Sequence, residues 1–141
     1  ETLILFENDL HVPTLKNIFR NYKNVFIILL GNTQRKIKLS ESVLSFKQKI
    51  VFEFIKQFDN ITQLDPLKLI EIFNDINHLD MIYPGIGENN DFINSFKKLN
   101  NKVIFNLVRD RDLFAWKFAK KGFFKFKENI PKINRYIEQY K

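Results

Sequence analysis

Three carboxylates in this sequence have the residue types and positions of a metal-dependent hydrolytic site. Glu7 follows an early apolar run, and Asp110 and Asp112 form an Asp-x-Asp pair after a later one. Carboxylate oxygens are hard ligands that suit Mg²⁺, so a magnesium-dependent nuclease is one hypothesis. Arg109 and Arg111 alternate with the two aspartates, which favours a solvated turn of ion pairs instead. We therefore assign no catalytic residue and no metal ligand.

Histidine, serine and cysteine offer little further chemistry. Cysteine is absent, which excludes disulfides, Cys-zinc sites and thiol nucleophiles. The two histidines, His11 and His78, are far apart in the sequence, and we interpret each as a surface or packing residue. Ser40, Ser42 and Ser45 have no nucleophile motif around them. The sequence thus predicts neither an enzyme nor a bound cofactor.

A glycine loop, Gly85–Gly87, follows a predicted strand and precedes a predicted helix. Such a loop exposes backbone N–H groups at a helix N-terminus, where they can bind a phosphate. The pattern lacks the third glycine of a dinucleotide-binding fingerprint, because Asn90 stands in its place. Two interpretations remain open: a tight strand-to-helix turn, or a loop whose two glycines let the backbone approach an RNA phosphate.

Positive charge is concentrated in two segments of the chain. The formal net charge is +7, from 23 Lys and Arg against 16 Asp and Glu. Residues 16–49 and 115–141 are rich in lysine, whereas residues 1–15 carry only acidic charges. Basic segments of this kind are typical of proteins that bind nucleic acids, and in the second segment aromatic rings that alternate with lysines could stack on bases. The alternative, compatible with it, is an amphipathic tail docked on its own core.

Hydrophobic patterns predict an α/β fold. Short apolar or alternating runs predict strands at Thr2–Phe6, Leu15–Phe19, Val25–Leu30, Lys36–Leu39, Leu79–Tyr83 and Val103–Val108. Helical spacing predicts one helical region from Val51 to Ile76, divided before an Asp65 N-cap, and a second helix at Phe92–Leu99. A turn at Gly31–Gln34 would make Lys36–Leu39 the hairpin partner of the preceding strand. The expected fold is a mixed sheet with N-terminal hairpin strands, two packed helices and a basic C-terminal tail.

Length and composition limit the class of protein further. A chain of 141 residues with 45% hydrophobic residues suits one domain with a packed core. The longest apolar run, Val25–Leu30, is far shorter than the roughly 20 residues that span a bilayer, so we expect no membrane protein. Phe, Ile, Asn, Lys and Tyr make up about half of the chain, which indicates an AT-rich genome. That bias can erode family motifs by replacing Arg with Lys, and Gly with Asn or Ser.

The order of these elements resembles the small-subunit ribosomal protein eleven family over residues 16–115. Phe19–Asn24, before a buried strand, is similar to that family's Phe-x-Asn-Thr turn, and Ser45–Lys49 falls where its basic loop belongs. Tyr83–Asn89 stands in the place of the family's Gly-Pro-Gly-x-Gly-Arg-Glu motif, without the arginine. The family's basic tail is missing, and Phe114–Lys141 replaces it.

The resemblance implies a structural protein of the small ribosomal subunit that is not an enzyme, has no cofactor and is not a homo-oligomer. Its partners would be small-subunit rRNA and neighbouring platform proteins, with no membrane. The core would span residues 16–115, with an N-terminal extension at 1–15 and a basic aromatic extension at 116–141. Composition favours a mitochondrial ribosome, the alternative being the cytoplasm of an AT-rich bacterium. The residues expected to contact RNA are Asn21, Lys23, Asn24, Lys36, Lys47, Lys49, Gly85, Gly87, Lys117, Lys120, Lys121, Lys125 and Lys127.

Two resemblances from other classes remain as alternatives. Leu5–Leu10 resembles the opening of the photolyase/cryptochrome antenna domain. That domain requires a parallel, doubly wound sheet, which the hairpin expected at Gly31 opposes, and the enzyme has a large helical flavin domain that this chain does not contain. A Toprim-like nuclease domain, which the Asp110 and Asp112 pair would imply, predicts cleavage that depends on Mg²⁺.

Overall fold

A five-stranded parallel sheet forms the centre of the protein. The structure is a computed structural model that describes residues 1–76, 79–100 and 103–139. Its strands are β1 (Thr2–Phe6), β2 (Asn24–Ile28), β3 (Ile61–Leu64), β4 (Leu79–Ile82) and β5 (Ile104–Leu107), in the order β3-β2-β1-β4-β5. Every neighbouring pair is parallel. The predicted α/β class is confirmed, but the prediction of a mixed sheet with an N-terminal hairpin is wrong.

Helices connect the strands and cover both faces of the sheet. In the described part of the chain the α-helices are α1 (Val12–Phe19), α2 (Glu41–Ile55), α3 (Leu69–Asn74), α4 (Glu88–Asn100), α5 (Asp110–Ala119) and α6 (Phe123–Glu138). Alternate residues of β1 enter two separate hydrophobic clusters. Leu3 and Leu5 pack with α1 and α2, whereas Ile4 and Phe6 pack with α3 and α4. Because successive strand residues point to opposite faces, the sheet lies between these two helical layers.

The segment Leu15–Phe19 lies in helix α1, so the prediction of a strand there is wrong. Pro13 lies in the first turn of this helix, where a missing backbone N–H costs nothing. Leu15 and Phe19 are four residues apart and therefore share one helix face, and both are buried. Phe19 meets Phe54 and Phe58 edge to face, with ring centroids 5.9 and 5.2 Å apart, which fixes α1 against α2.

The segment Lys36–Leu39 lies in the long connection from β2 to α2, and the predicted hairpin strand does not form. The Asn32 side chain binds the backbone of Leu39 in both directions: its Nδ2 donates to the Leu39 oxygen and its Oδ1 accepts from the Leu39 N–H, each at 2.8 Å. These bonds satisfy the backbone that a sheet partner would otherwise satisfy. Ser40 then caps α2 by accepting from the Val43 N–H.

The two predicted extensions are ordered elements of the structure. Thr2–Phe6, assigned to an N-terminal extension, is the central strand β1, and all five of its residues are buried. The described part of the predicted C-terminal extension, residues 116–139, contributes the end of α5 and the whole of α6. Phe114 stacks on Tyr136 with ring centroids 4.2 Å apart, and Ile133 is buried. The described residues include no helix that is long and apolar enough to cross a membrane.

Candidate functional site at the carboxyl edge of the sheet

The direction of winding reverses between β1 and β4. The chain passes from β1 outward through β2 to β3, then crosses to the other side of β1 for β4 and β5. At such a reversal the connections leave the carboxyl ends of the two strands in opposite directions and open a crevice, where open α/β sheets bind their ligands. Here the residues at that crevice are Glu7 and Asn8 after β1 and Tyr83–Gly87 after β4.

Glu7 is a buried carboxylate at the end of β1, and its side chain is only 4% exposed. Its Oε1 accepts from Lys47 Nζ at 2.9 Å and from Arg35 Nη2 at 3.3 Å. Its Oε2 accepts from Asn89 Nδ2 at 3.4 Å. A buried carboxylate needs such partners, because burial removes the water that would otherwise stabilise its charge. Glu7 therefore joins the β2–α2 connection, α2 and the start of α4 at one point.

Arg35 connects three parts of this edge through three different nitrogens. Its Nε donates to the Leu30 carbonyl oxygen at 2.9 Å, its Nη2 binds Glu7, and its Nη1 binds Glu88 Oε2 at 3.1 Å. The other Glu88 oxygen accepts from the Ile37 N–H at 2.9 Å. This hydrogen bond, supported by Arg35, lowers the pKa of the Glu88 carboxyl below its usual value. Arg35 thus closes the centre of the crevice with an ion-pair network.

The loop that precedes α4 is the turn that the sequence suggested. Gly85 and Gly87 have φ of +76° and +138°, values that L side chains rarely adopt. The two glycines bring the chain round so that Glu88 and Asn89 begin α4 beside Glu7 and Arg35. Asn89 is buried, and its Oδ1 has no hydrogen-bond partner among the described residues. The first turn of α4 therefore places the side chains of Glu88 and Asn89 at the crevice.

A second buried carboxylate, Asp9, lies nearer to β5. Its Oδ1 binds Arg109 Nη1 at 3.2 Å, and its Oδ2 accepts from the Phe6 N–H. Burial, only partly offset by Arg109, raises the pKa of Asp9 to about 6. Arg109 Nε also binds Asp112 Oδ2 at 2.7 Å, so an ion pair forms after β5 as predicted, but at the start of helix α5 and largely buried rather than in a solvated turn. Burial and the nearby Arg111 and Arg109 lower the pKa of His11.

Two open clefts flank the ion-pair network. The first, which we call the β1–α2 cleft, has a volume of about 280 Å³ and is lined by Glu7, Asn8, Val43, Phe46, Lys47 and Ile50. The second, of about 240 Å³, lies between the β2–α2 connection and α4 and is lined by polar residues and Phe92. Both volumes lie just below the ~300–1,000 Å³ range of small-molecule sites. Of the two, the β1–α2 cleft has the apolar wall that a planar ring would contact.

The structure separates the predicted RNA-binding residues into three groups. Asn21, Lys23 and Asn24 lie at the amino end of β2, about 16 Å from the carboxyl edge for a five-residue strand. At the carboxyl edge lie Gly85, Gly87, Lys36 and Lys47. Lys49 stands apart from the three groups, beside Leu10 and Val12, because Ser45–Lys49, expected as a basic loop, is part of helix α2. The third group, Lys117, Lys120, Lys121, Lys125 and Lys127, surrounds the turn between α5 and α6.

The carboxylates of the nuclease hypothesis are held by different arginines. Glu7 binds Arg35, whereas Asp112 binds Arg109. Across residues 1–76, 79–100 and 103–139, no group of three or more His, Asp or Glu side chains could hold a metal ion. His78 lies outside the described residues. The sequence interpretation missed the roles of Arg35, Glu88 and Asn89, because an expected hairpin placed Arg35 in a turn rather than over the crevice.

In comparisons with known proteins, no family model, no curated protein and no solved structure matches this chain.

Proposed function

We propose that this chain is a chromophore-binding α/β domain of the photolyase/cryptochrome antenna type. The observation that carries the proposal is the sheet order β3-β2-β1-β4-β5 with every neighbouring pair parallel. The hairpin expected at Gly31 opposed this resemblance, and α2 occupies its place as a parallel crossover. The proposal concerns the domain described here, and a helical flavin domain would be a separate unit.

The residues that carry the resemblance lie where a ligand of such a sheet would bind. Leu5 and Phe6 end β1, and Glu7–Asp9 form the 3₁₀ turn at its carboxyl end. Asn8 is exposed beside the β1–α2 cleft. A flat conjugated ring placed in the cleft would pack on Phe46, with polar groups near Asn8 and Lys47. The cleft thus combines an apolar wall with a few polar groups, the usual composition of a small-molecule site.

The test is whether the purified full chain holds a chromophore in the β1–α2 cleft. We expect a visible absorption band in the protein as isolated, or saturable binding of added FMN measured by quenching of its fluorescence. Phe46→Asp should weaken this binding at least tenfold, because it places a carboxylate on the apolar wall. Phe46 is 63% exposed, so the substitution should leave the core intact.

Phe52→Asp is the matched control, because Phe52 lies on the same helix, is 57% exposed and does not line the cleft. It should bind FMN as the parent does. A colourless parent protein that also fails to bind FMN would remove the chromophore proposal. Equal losses in the Phe46 and Phe52 variants would show that the β1–α2 cleft is not the binding site.

A structural protein of the small ribosomal subunit is the second candidate, favoured by the five exposed lysines at the α5–α6 turn. These side chains could neutralise rRNA phosphates. The test is sedimentation of a cell extract through a sucrose gradient at low salt. The protein should travel with the small subunit and leave it as salt is raised. A protein that stays at the top of the gradient at low salt would contradict this candidate.

A further inference from the structure

The turn between α5 and α6 carries the strongest concentration of positive charge in the described structure. Residues 116–127 contain five lysines and no aspartate or glutamate. We call this the turn surface; it consists of Lys117, Lys120, Lys121, Phe123, Phe124, Lys125 and Lys127. All seven side chains are exposed. They are not needed for the packing of α5 and α6, in which Phe114 stacks on Tyr136 and Ile133 is buried.

Few of these lysines form ion pairs or cation–π contacts within the protein. Lys125 Nζ binds Glu128 Oε2 at 3.1 Å, and Lys117 Nζ lies 5.6 Å from the centre of the Phe114 ring. Among the described residues, no carboxylate forms an ion pair with Lys120, Lys121 or Lys127. Repulsion between such close like charges is relieved by a polyanion, so the surface is complementary to a phosphate chain.

Two phenylalanines stand in the middle of these charges. Phe123 is 70% exposed and Phe124 is 78% exposed, although each could contribute to a core. Their rings meet edge to face, with centroids 5.6 Å apart, so each leaves ring surface open. Aromatic rings next to lysines are the elements of single-strand recognition, because bases stack on the rings while phosphates meet the ammonium groups.

From these contacts we propose that the turn surface binds single-stranded nucleic acid. A duplex is a poorer partner, because its bases are already stacked on each other and cannot cover Phe123 and Phe124. An anionic membrane is also poorer, because α6 offers no continuous apolar face: Ile130 is exposed, but Ile133 is buried and Tyr136 is stacked on Phe114. Two neighbouring rings suit two stacked bases better than they suit a bilayer.

The test uses the full chain and fluorescein-labelled 12-mers of dT and rU, with binding measured by fluorescence anisotropy. Four lysines of the turn surface form no ion pair with a described residue, because only Lys125 binds a carboxylate. If these four neutralise phosphates, the logarithm of the binding constant should fall with the logarithm of salt concentration with a slope of about −3. Phe123→Ala/Phe124→Ala should weaken binding about tenfold or more while the slope stays the same. Lys120→Glu/Lys121→Glu should weaken it similarly and flatten the slope.

Two variants separate this site from others. Phe52→Ala removes another exposed ring, 57% exposed on α2 and covered by Lys56, and should bind the oligonucleotide as the parent does. Phe46→Asp should also bind normally, because the proposal does not rest on the chromophore cleft. Circular dichroism checks that each variant remains folded.

Three results would overturn the proposal. One is an unchanged affinity in the Phe123 and Phe124 double variant. The second is equal affinity for a 12-base-pair duplex. The third is binding to phosphatidylserine vesicles without binding to either 12-mer, which would assign the surface to a membrane.

Discussion

An Arg35→Met variant is expected to lose about 3 kcal/mol of its free energy of unfolding. The Arg35 side chain is 7% exposed, and its guanidinium binds both Glu7 and Glu88. Without it, Glu7 keeps Lys47 and Asn89 but remains buried with less compensation. Removing one partner of a buried pair costs ~3–5 kcal/mol, and Lys47 keeps the loss near the lower end. Urea unfolding followed by circular dichroism measures the change.

Lys56→Met is the matched control for this substitution. Lys56 forms an ion pair with Glu53 at 2.8 Å, but both side chains are more than half exposed. Exposed pairs contribute ~0–1 kcal/mol, so this variant should stay close to the parent. Adding Glu7→Gln to the Arg35 variant should restore part of the loss, because it removes the buried charge. Similar losses in the Arg35 and Lys56 variants, with no recovery in the double variant, would show that the buried ion pairs of Arg35 do not stabilise the fold.

Asp9 is expected to make the protein more stable as pH falls from about 7 to about 4. Its pKa in the fold is about 6, raised from 3.8 by burial. A carboxyl with a raised pKa favours the fold when protonated, and this contribution is lost as pH rises through 6. The difference in pKa corresponds to about 3 kcal/mol. Glu88, whose pKa is lowered, acts in the opposite direction and at lower pH.

Asp9→Asn isolates this effect, because an amide resembles the protonated carboxyl and can still accept from the Phe6 N–H. Above pH 7 the variant should be more stable than the parent by up to about 3 kcal/mol, and the two curves should meet near pH 4. Urea unfolding at several pH values gives both curves. Glu53→Gln, an exposed carboxyl-to-amide change, should differ from its parent by less than ~0.5 kcal/mol throughout. A constant difference between Asp9→Asn and parent would falsify the assignment.

The sequence predicts elements well where a single physical requirement dominates. Val25–Leu30 is continuously apolar because β2 is covered on both faces, and strand β2 spans Asn24–Ile28. Asp65 and Pro66 predict a helical start, and the Asp65 side chain accepts from the Leu67 N–H at 2.8 Å. The strands predicted at Leu79–Tyr83 and Val103–Val108 are β4 and β5. In these segments local preference and tertiary packing agree.

The errors come from segments whose residue pattern is compatible with two different backbone structures. Leu15–Phe19 can be a buried strand, but its spacing also gives one apolar helix face, and packing on Phe54 decides for the helix. Lys36–Leu39 alternates like a strand, but the Asn32 side chain makes the hydrogen bonds with the Leu39 backbone that a neighbouring strand would otherwise make. A third error is the helical region predicted from Val51 to Ile76, which contains strand β3 (Ile61–Leu64). The first two errors each added a strand beside β2. Together they turned a parallel sheet into an expected hairpin.

The candidate site was harder to predict than the fold, because it depends on that strand order. Glu7, Arg35 and Glu88 are separated by about 28 and 53 positions in the chain, and nothing local connects them. Only a parallel arrangement brings the ends of β1, β2 and β4 to one edge. Asp9 and Arg109 meet for the same reason. The ion pair of Arg109 with Asp112 was predictable, because the two residues are three apart on one helical turn.

The central position of β1 also affects how the chain folds during synthesis. Of the five strands, β1 is made first and can pair with β2 once residue 28 is made, whereas its other partner, β4, begins only at Leu79. Until β4 is made, the edge of β1 that β4 will cover stays unpaired. Leu3 and Ile4, which are buried in the finished fold, lie along this open edge. Unpaired apolar strand edges readily pair with other chains, so this half-built state is where the protein is most prone to aggregate. Completion of β4 covers this edge of β1, and β5 then pairs with the new edge that β4 presents.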